Sequence, residues 1–124
     1  MKSIALVAVL SPAAVFAEDT AEAVETRITA IISKMTVEQK VGQIVQPEIQ
    51  EISYAEVKKY HIGSVLNGGG SFPDEEKNAS IDDWLEMADK FYKASTDTSN
   101  GGTGIPLIWG TDAVHGHNNV IGAT

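Results

Sequence analysis

The chain has 124 residues, of which 17 are acidic and 9 are basic, so its net charge is −8 at pH 7, and it contains no cysteine. Nucleic acid and anionic membrane surfaces are disfavoured as partners, because both are bound through a basic protein face. Without cysteine there is no disulfide, thiolate metal site, thiol nucleophile or lipid-anchored cysteine. The acidic charge balance does not exclude neutral ligands as partners.

The first 17 residues have the pattern of an export signal. A positive start at Lys2 precedes the apolar run 4–10, and a small-x-small cleavage pattern occupies 15–17. The apolar run is shorter than the roughly 20 residues that a transmembrane helix needs. A buried N-terminal helix is the alternative. We therefore predict a signal peptide over 1–17, a mature chain over 18–124, and a periplasmic or secreted location.

Helical patterns follow the cleavage site. Apolar residues at alternating four- and three-residue spacing predict an amphipathic helix over about 24–35. Two capping boxes come next, in which paired side chains satisfy backbone N–H groups at a helix start. The pairs are Thr36 with Gln39 and Ser53 with Glu56. They predict a second helix that ends at or before Pro47, with apolar residues of 37–45 on one face, and a third that reaches about Tyr60.

The pattern then changes to strand, helix and strand. Short apolar runs rich in branched residues predict buried strands at 62–67 and 105–110. Ser80 is predicted to cap the helix between them, which has the strongest apolar stripe in the chain. Such an order predicts a parallel βαβ unit, and continuous apolar strands are typical of a sheet with both faces covered. The predicted fold class is therefore α/β.

The segments after the two predicted strands form the candidate site. Residues 67–70 and 111–117 each follow the carboxyl end of a parallel strand, which is the edge where α/β proteins build active sites. The second segment holds Asp112, His115 and His117 among glycines and asparagines. A metal site, a sugar site and a plain loop each account for part of this composition.

Phosphate and metal binding fit this edge less well than sugar binding. The glycines at 68–70 lack the spacing of a phosphate-binding loop and can equally form a turn. His115 and His117 would point the same way if the chain were extended there, but a catalytic zinc usually needs three protein ligands. We therefore predict no metal and no cofactor.

Sugar binding fits the residue chemistry. Asp112 at a strand end could accept hydrogen bonds from two adjacent hydroxyl groups, and bonds to a charged group are the stronger kind. Trp109 could stack on a sugar ring, although a strand tryptophan more often belongs to the core. Asn118 and Asn119 either donate to the ligand or only shape the backbone. Glycosidic cleavage needs two carboxylates about 5 to 10 Å apart, and the residues show no convincing second one.

Four segments of the chain together resemble the N-terminal part of glycoside hydrolase family 3. They are KMTVEQKVGQIVQ (34–46), HIGSVLNGGGSFP (61–73), the helix around Trp84, and IPLIWGTDAVHGHNNVIGAT (105–124). The resemblance is greatest to the β-glucosidase and exo-1,3/1,4-β-glucanase branch. The sequence of the segment DAVHGHNN (112–119) also favours glucosidases over the family's β-N-acetylhexosaminidases.

The resemblance implies a partial (β/α)8 barrel, with N-terminal helices plus the first βα units only. It also implies retaining hydrolysis that releases glucose from the non-reducing end of β-glucans or cello-oligosaccharides. Asp112 would hold hydroxyls of the non-reducing glucose, and His115 would support the loop. The family's nucleophilic aspartate and acid/base glutamate would lie after Thr124, so no catalytic residue is predicted within this chain.

On this interpretation the chain is an N-terminal fragment, because family members continue past the GAT segment at 122–124. We expect the 124-residue polypeptide alone to hydrolyse nothing. We also expect it to fold poorly, because the strands at both edges lack partners. The alternative is a non-catalytic exported sugar-binding module, which would bind glucose or cellobiose as an isolated chain.

Overall fold

The computed structural model describes residues 20–117 and 119–123. The helices within them are α1 (Ala21–Ile32), α2 (Val37–Gln43), α3 (Tyr54–Tyr60) and α4 (Ile81–Thr96), the strands are β1 (Ser64–Asn67) and β2 (Ile108–Thr111), and two 3-10 turns span Pro73–Glu75 and Ser99–Gly101. The signal peptide predicted over 1–17 lies outside the described residues. In this part of the chain no helix combines the length and apolar character needed to cross a bilayer.

The helix starts follow from the predicted caps. The hydroxyls of Thr36 and Ser53 accept the backbone N–H three residues on at 3.2 and 3.3 Å. The side chain of Gln39 or Glu56 at that position in turn accepts the backbone N–H of the cap residue. Ser80 caps α4 as predicted, and Asp83 completes a third capping box. These boxes satisfy backbone donors that a helix leaves free in its first turn. Local sequence therefore determines where these three helices begin.

The two strands form a parallel pair with α4 between them in the chain, so the predicted βαβ unit and the α/β class are confirmed. Both strands are shorter than predicted. β1 begins at Ser64 rather than at 62, and β2 runs from Ile108 to Thr111 rather than over 105–110. Pro106 has no N–H to donate to the neighbouring strand. The pairing therefore begins at Ile108, whose N–H donates to the Gly63 carbonyl at 2.9 Å.

A short segment on the other side of β1 supplies a partner that the sequence analysis did not predict. The Leu66 N–H donates to the Pro47 carbonyl at 2.8 Å, and the Ile49 N–H donates to the Leu66 carbonyl at 3.0 Å. This pairing is parallel and involves one bridge outside the named strands. β1 therefore lies between residues 47–49 and β2, and the expectation that both strands lack a second partner is wrong for β1.

The core is centred on Phe91 of α4, which is 1% exposed. Tyr54 and Trp109 meet its ring edge-on, with ring centroids 4.8 and 5.8 Å away. The other buried apolar residues of this cluster are Ile49, Val57, Ile62 and Val65. Trp109 thus packs against the core, as expected for a strand residue, and the core joins α3, α4 and the sheet.

Several apolar surfaces that the sequence predicts to be buried are exposed. α1 has no buried residue, and Ile44 after α2 is 83% exposed. Three members of the predicted α4 stripe are also exposed: Ile81, Leu85 and Tyr92. The prediction of two buried strands is right for β1, where Val65 is fully buried, and wrong for β2, where Ile108 is 70% exposed. Among the described elements nothing covers that face of β2.

Candidate functional site

The candidate site lies where β1 and β2 end. The parallel register pairs Asn67 with Thr111, so the two strands end level with each other. The Asp112 N–H then donates to the Asn67 carbonyl at 3.0 Å, which continues the pairing past β2. Residues 68–71 and 112–117 therefore leave the sheet at one edge, as the order of the strands predicts.

Asp112 occupies the exposed side of this edge. Its backbone is fixed by the bond to Asn67, whereas its carboxylate accepts no hydrogen bond from the other residues in the described part of the chain. An ionised carboxylate has two oxygens with about four acceptor positions. The Asp112 side chain can therefore accept bonds from two hydroxyl groups of a ligand.

The turn after β1 is bound to the segment after β2 through Asn119, which is 1% exposed. The Asn119 Nδ2 donates to the Gly68 carbonyl at 2.7 Å, and its Oδ1 accepts the Gly70 N–H at 3.1 Å. Gly70 has a φ of 108°, a backbone conformation that glycine adopts without strain. Of the two alternatives weighed for Asn119, the structure supports a role in shaping the backbone.

His115 and His117 have different environments. Gly116 between them has a φ of 97°, so the segment is not extended as the metal alternative requires. His115 is exposed, whereas His117 is half-buried and its Nδ1 accepts the Asn119 N–H at 3.3 Å. Among residues 20–117 and 119–123, no three histidine, aspartate or glutamate side chains group as metal ligands. This arrangement favours a hydrogen-bonded loop over a metal centre.

Asn67 and Glu48 hold the turn at 68–71 from the sheet side. Asn67 is fully buried, and its Nδ2 donates to the Ser71 carbonyl at 2.9 Å. The Glu48 carboxylate accepts the N–H groups of Gly68 at 3.2 Å and Gln50 at 2.7 Å. Both of its oxygens are therefore occupied by backbone donors. Sequence reasoning missed Glu48, because it follows a proline in a segment without a strand pattern.

The fold and this edge together define a class of protein. A parallel α/β unit with polar side chains just past the carboxyl ends of its strands has the architecture of α/β barrels and open α/β sheets. The particular family follows from comparison with known proteins. The model of the glycosyl hydrolase family 3 N terminal domain matches residues 36–124, so the chain belongs to this family. The resemblance drawn from four sequence segments is thereby confirmed.

The relatives found are glycoside hydrolases much longer than this chain. The lysosomal beta glucosidase of Dictyostelium discoideum is 32% identical over 118 aligned residues, which cover 81% of this chain and 14% of that protein. The crystal structure of an exo-1,3/1,4-beta-glucanase from a Pseudoalteromonas species is 49% identical with a TM-score of 0.76, and covers 82% of this chain and 13% of that chain. A variant structure of the same enzyme gives the same identity and TM-score. The chain thus spans 13–16% of the length of these relatives.

Proposed function

We propose that this chain is the N-terminal part of an exported β-glucosidase or exo-β-glucanase, which releases terminal non-reducing β-D-glucosyl residues with retention of configuration. Membership of the family supports glycoside hydrolysis. A relative named as a beta glucosidase and another named as an exo-1,3/1,4-beta-glucanase support this substrate class. The proposed substrates are β-glucans or cello-oligosaccharides, without a cofactor, and the signal pattern at 1–17 supports a periplasmic or secreted location.

The observation that carries the proposal is the position of Asp112. Its backbone is fixed to the end of β1 and its carboxylate is exposed at the carboxyl edge of the sheet. Adjacent hydroxyl groups of a glucose ring present two donors to such a carboxylate, and hydrogen bonds to a charged group contribute about 1.5–3 kcal/mol each. In the proposal the Asp112 carboxylate binds hydroxyl groups of the non-reducing glucose, and His115 supports the loop at 112–117.

The proposal places the nucleophilic aspartate and the acid/base glutamate in sequence beyond Thr124. Retaining hydrolysis uses two carboxyl groups about 5 Å apart. Asp112 supplies one exposed carboxylate at this edge, while both Glu48 oxygens are held by backbone donors. The exposed apolar faces of α1, α2 and β2 support a larger (β/α)8 barrel, in which further elements would cover them.

The test uses the protein encoded by the complete open reading frame. We expect hydrolysis of p-nitrophenyl β-D-glucoside, and we expect Asp112→Ala to lower kcat/KM by about 100-fold or more through the loss of two charged hydrogen bonds. Asp89→Ala is the matched control, because the Asp89 carboxylate lies on the exposed face of α4 and pairs with Lys93 at 3.4 Å. Such surface pairs contribute about 0–1 kcal/mol.

A substrate lacking one ring hydroxyl identifies the contact. If Asp112 binds that hydroxyl, the deoxy substrate should lose activity with the unmodified protein and lose little more with Asp112→Ala. Equal losses in both proteins, for each ring hydroxyl removed in turn, would show that Asp112 does not bind the sugar. A stop codon directly after Thr124, together with sugar binding by the isolated chain, would instead establish the non-catalytic binding module.

A further inference from the structure

One side chain joins two loops that are far apart in sequence. The Asn119 amide bonds to Gly68 and Gly70, which lie 51 and 49 residues earlier in the chain. The donor and the acceptor of the same planar group are both used, on two backbone groups of a single turn. The Asn119 amide therefore clamps the turn after β1 to the segment after β2. This clamp is separate from the strand pairing that ends at Asp112.

The chemistry of the clamp requires an asparagine. Aspartate keeps the shape and an acceptor but cannot donate to the Gly68 carbonyl when ionised, and alanine can neither donate nor accept. Asn119 is 1% exposed, whereas Gly68 is half-buried and Gly70 is exposed, so water can replace part of the lost bonding on the turn. The cost of losing the clamp should therefore lie toward the lower end of the roughly 1–3 kcal/mol of a buried group left without a partner.

The clamp and the strand pairing bracket the loop that carries Asp112. At one end the Asp112 N–H is bound to Asn67, and at the other end Asn119 is bound to the glycine turn. The residues at 113–116 between these anchors are exposed. The Asn119 N–H also donates to His117 Nδ1, which ties the clamp to the loop itself. Releasing Asn119 would leave the loop anchored through Asp112 at its β2 end.

From this arrangement we infer that Asn119 is a positioning residue for the sugar site: its amide fixes the loop after β2 so that the Asp112 carboxylate is held at one place over the sheet edge. This inference rests on the proposed function, because it assigns to Asp112 the task of binding glucose. Asn119 itself is buried and bonded to the turn, so it acts through Asp112 and not by touching the sugar. A displacement of about 1 Å at a binding group can reduce activity by up to about 100-fold.

The test compares Asn119→Ala and Asn119→Asp in the full-length protein, with Asn78→Ala as the control. Asn78 lies on an exposed loop and donates its backbone N–H to Glu76, a bond that survives removal of the side chain. Hydrogen exchange is followed in peptides covering 68–71 and 111–117, with α4 as the internal reference. Both Asn119 variants should speed exchange in these two segments and leave α4 unchanged, whereas a general loss of stability would speed exchange in all three.

Kinetics provides the second measurement. Asn119→Ala should lower kcat/KM for the β-glucoside by about 10-fold in the unmodified protein and by less than about 2-fold when Asp112 is already alanine. Unchanged exchange at 68–71 and 111–117 would overturn the inference, and so would losses from Asp112 and Asn119 that simply multiply. If the unmodified protein hydrolyses no glucoside, the proposed function fails, and exchange alone then decides whether Asn119 holds the loop.

Discussion

The N–H of Asp112 donates to the carbonyl of Asn67 at 3.0 Å, across the ends of two parallel strands. Asn67 is fully buried, while Asp112 is exposed. The buried residue is held in turn, since its side-chain Nδ2 donates to the Ser71 carbonyl at 2.9 Å. The exposed carboxylate thus projects from a backbone that rests on buried hydrogen bonds, which is how a binding group keeps a fixed position.

Replacement of Asn67 should destabilise the protein in a pH-dependent way. Asn67→Ala should cost about 1–3 kcal/mol, because the Ser71 carbonyl loses its buried donor. Asn67→Asp should be worse at neutral pH, since it buries a charged carboxylate. Burial raises the pKa of that carboxyl in the folded protein, so the added cost should shrink as the pH falls and the group is protonated.

Thermal unfolding of the protein encoded by the complete open reading frame, at about pH 5 and about pH 7.5, measures this difference. Asn78→Asp serves as the control, because a substitution at an exposed position usually changes stability by no more than about 0.5 kcal/mol. Equal melting temperatures for Asn67→Asp and Asn67→Ala at the higher pH would contradict a buried environment for residue 67.

Asp97 should titrate well below an ordinary aspartate. The Lys58 Nζ lies 2.6 Å from its Oδ2, and this bond, followed by bonds from Ser99, lowers the pKa of Asp97 from 3.8 to about 2. Lys58→Met should therefore raise the pKa of Asp97 toward its ordinary value. The folded-state pKa lies below the unfolded one, so the pair stabilises the fold above about pH 4 and loses that effect as the pH falls toward about 2.

Titration of the Asp97 carboxyl by carbon NMR gives this pKa directly. Lys93→Met is the matched control, because Lys93 pairs with Asp89 on the exposed face of α4 and lies outside the Asp97 bonds. A shift of the Asp97 titration in the control, or none in Lys58→Met, would refute the assignment of the low pKa to Lys58.

Gly42→Ala should destabilise the protein although alanine favours helices. A Cβ at Gly42 would lie inside van der Waals contact with the backbone carbonyls of Tyr60 and His61, where α2 meets the end of α3. The Gly42 carbonyl also accepts the Gly63 N–H at 3.0 Å, which holds the two backbones together. Overpacking of this kind costs about 1–3 kcal/mol, more than the roughly 1 kcal/mol of helix propensity gained.

Thermal unfolding of the protein encoded by the complete open reading frame compares this variant with Gly69→Ala. A Cβ at Gly69 would have no heavy atom of the described residues within 4 Å apart from its chain neighbours, so that substitution should change the melting temperature little. A melting temperature for Gly42→Ala at or above that of the unmodified protein would show that α2 can move away from α3 without cost.

The sequence contains the signals for those parts of the fold that depend on near neighbours. Thr36 and Ser53 bond to residues three positions away, so the capping boxes predict where α2 and α3 begin. The strand partner at 47–49 and the Asn119 clamp depend on bonds across 17 to 51 residues. Such pairs leave no periodic pattern in the chain, so the location of the site could be predicted and its internal bonding could not.

Apolar patterning predicts that a face is to be covered but not by which element. Ile44 and Ile108 fit apolar runs, yet they are 83% and 70% exposed because none of the described elements packs against them. The apolar stripe predicted on α4 is likewise buried only in part, since Phe91 is 1% exposed and Leu85 is 61% exposed. The spacing of apolar residues along one element does not reveal which other element packs on it.

The final prediction concerns the 124-residue polypeptide expressed alone. It should melt without a cooperative transition, bind a hydrophobic dye and release no p-nitrophenol from the β-glucoside. α1 has no buried residue, and Ile44 and Ile108 are largely exposed, so the apolar contacts that support cooperative folding are few. Scanning calorimetry, dye fluorescence and the glucoside assay check the three parts.

A double variant, Ile44→Ser with Ile108→Ser, should lower dye binding if these side chains form the exposed apolar surface. A sharp calorimetric transition with little dye bound would show that this polypeptide packs its own apolar faces, and would count against a fold completed by further elements of a barrel.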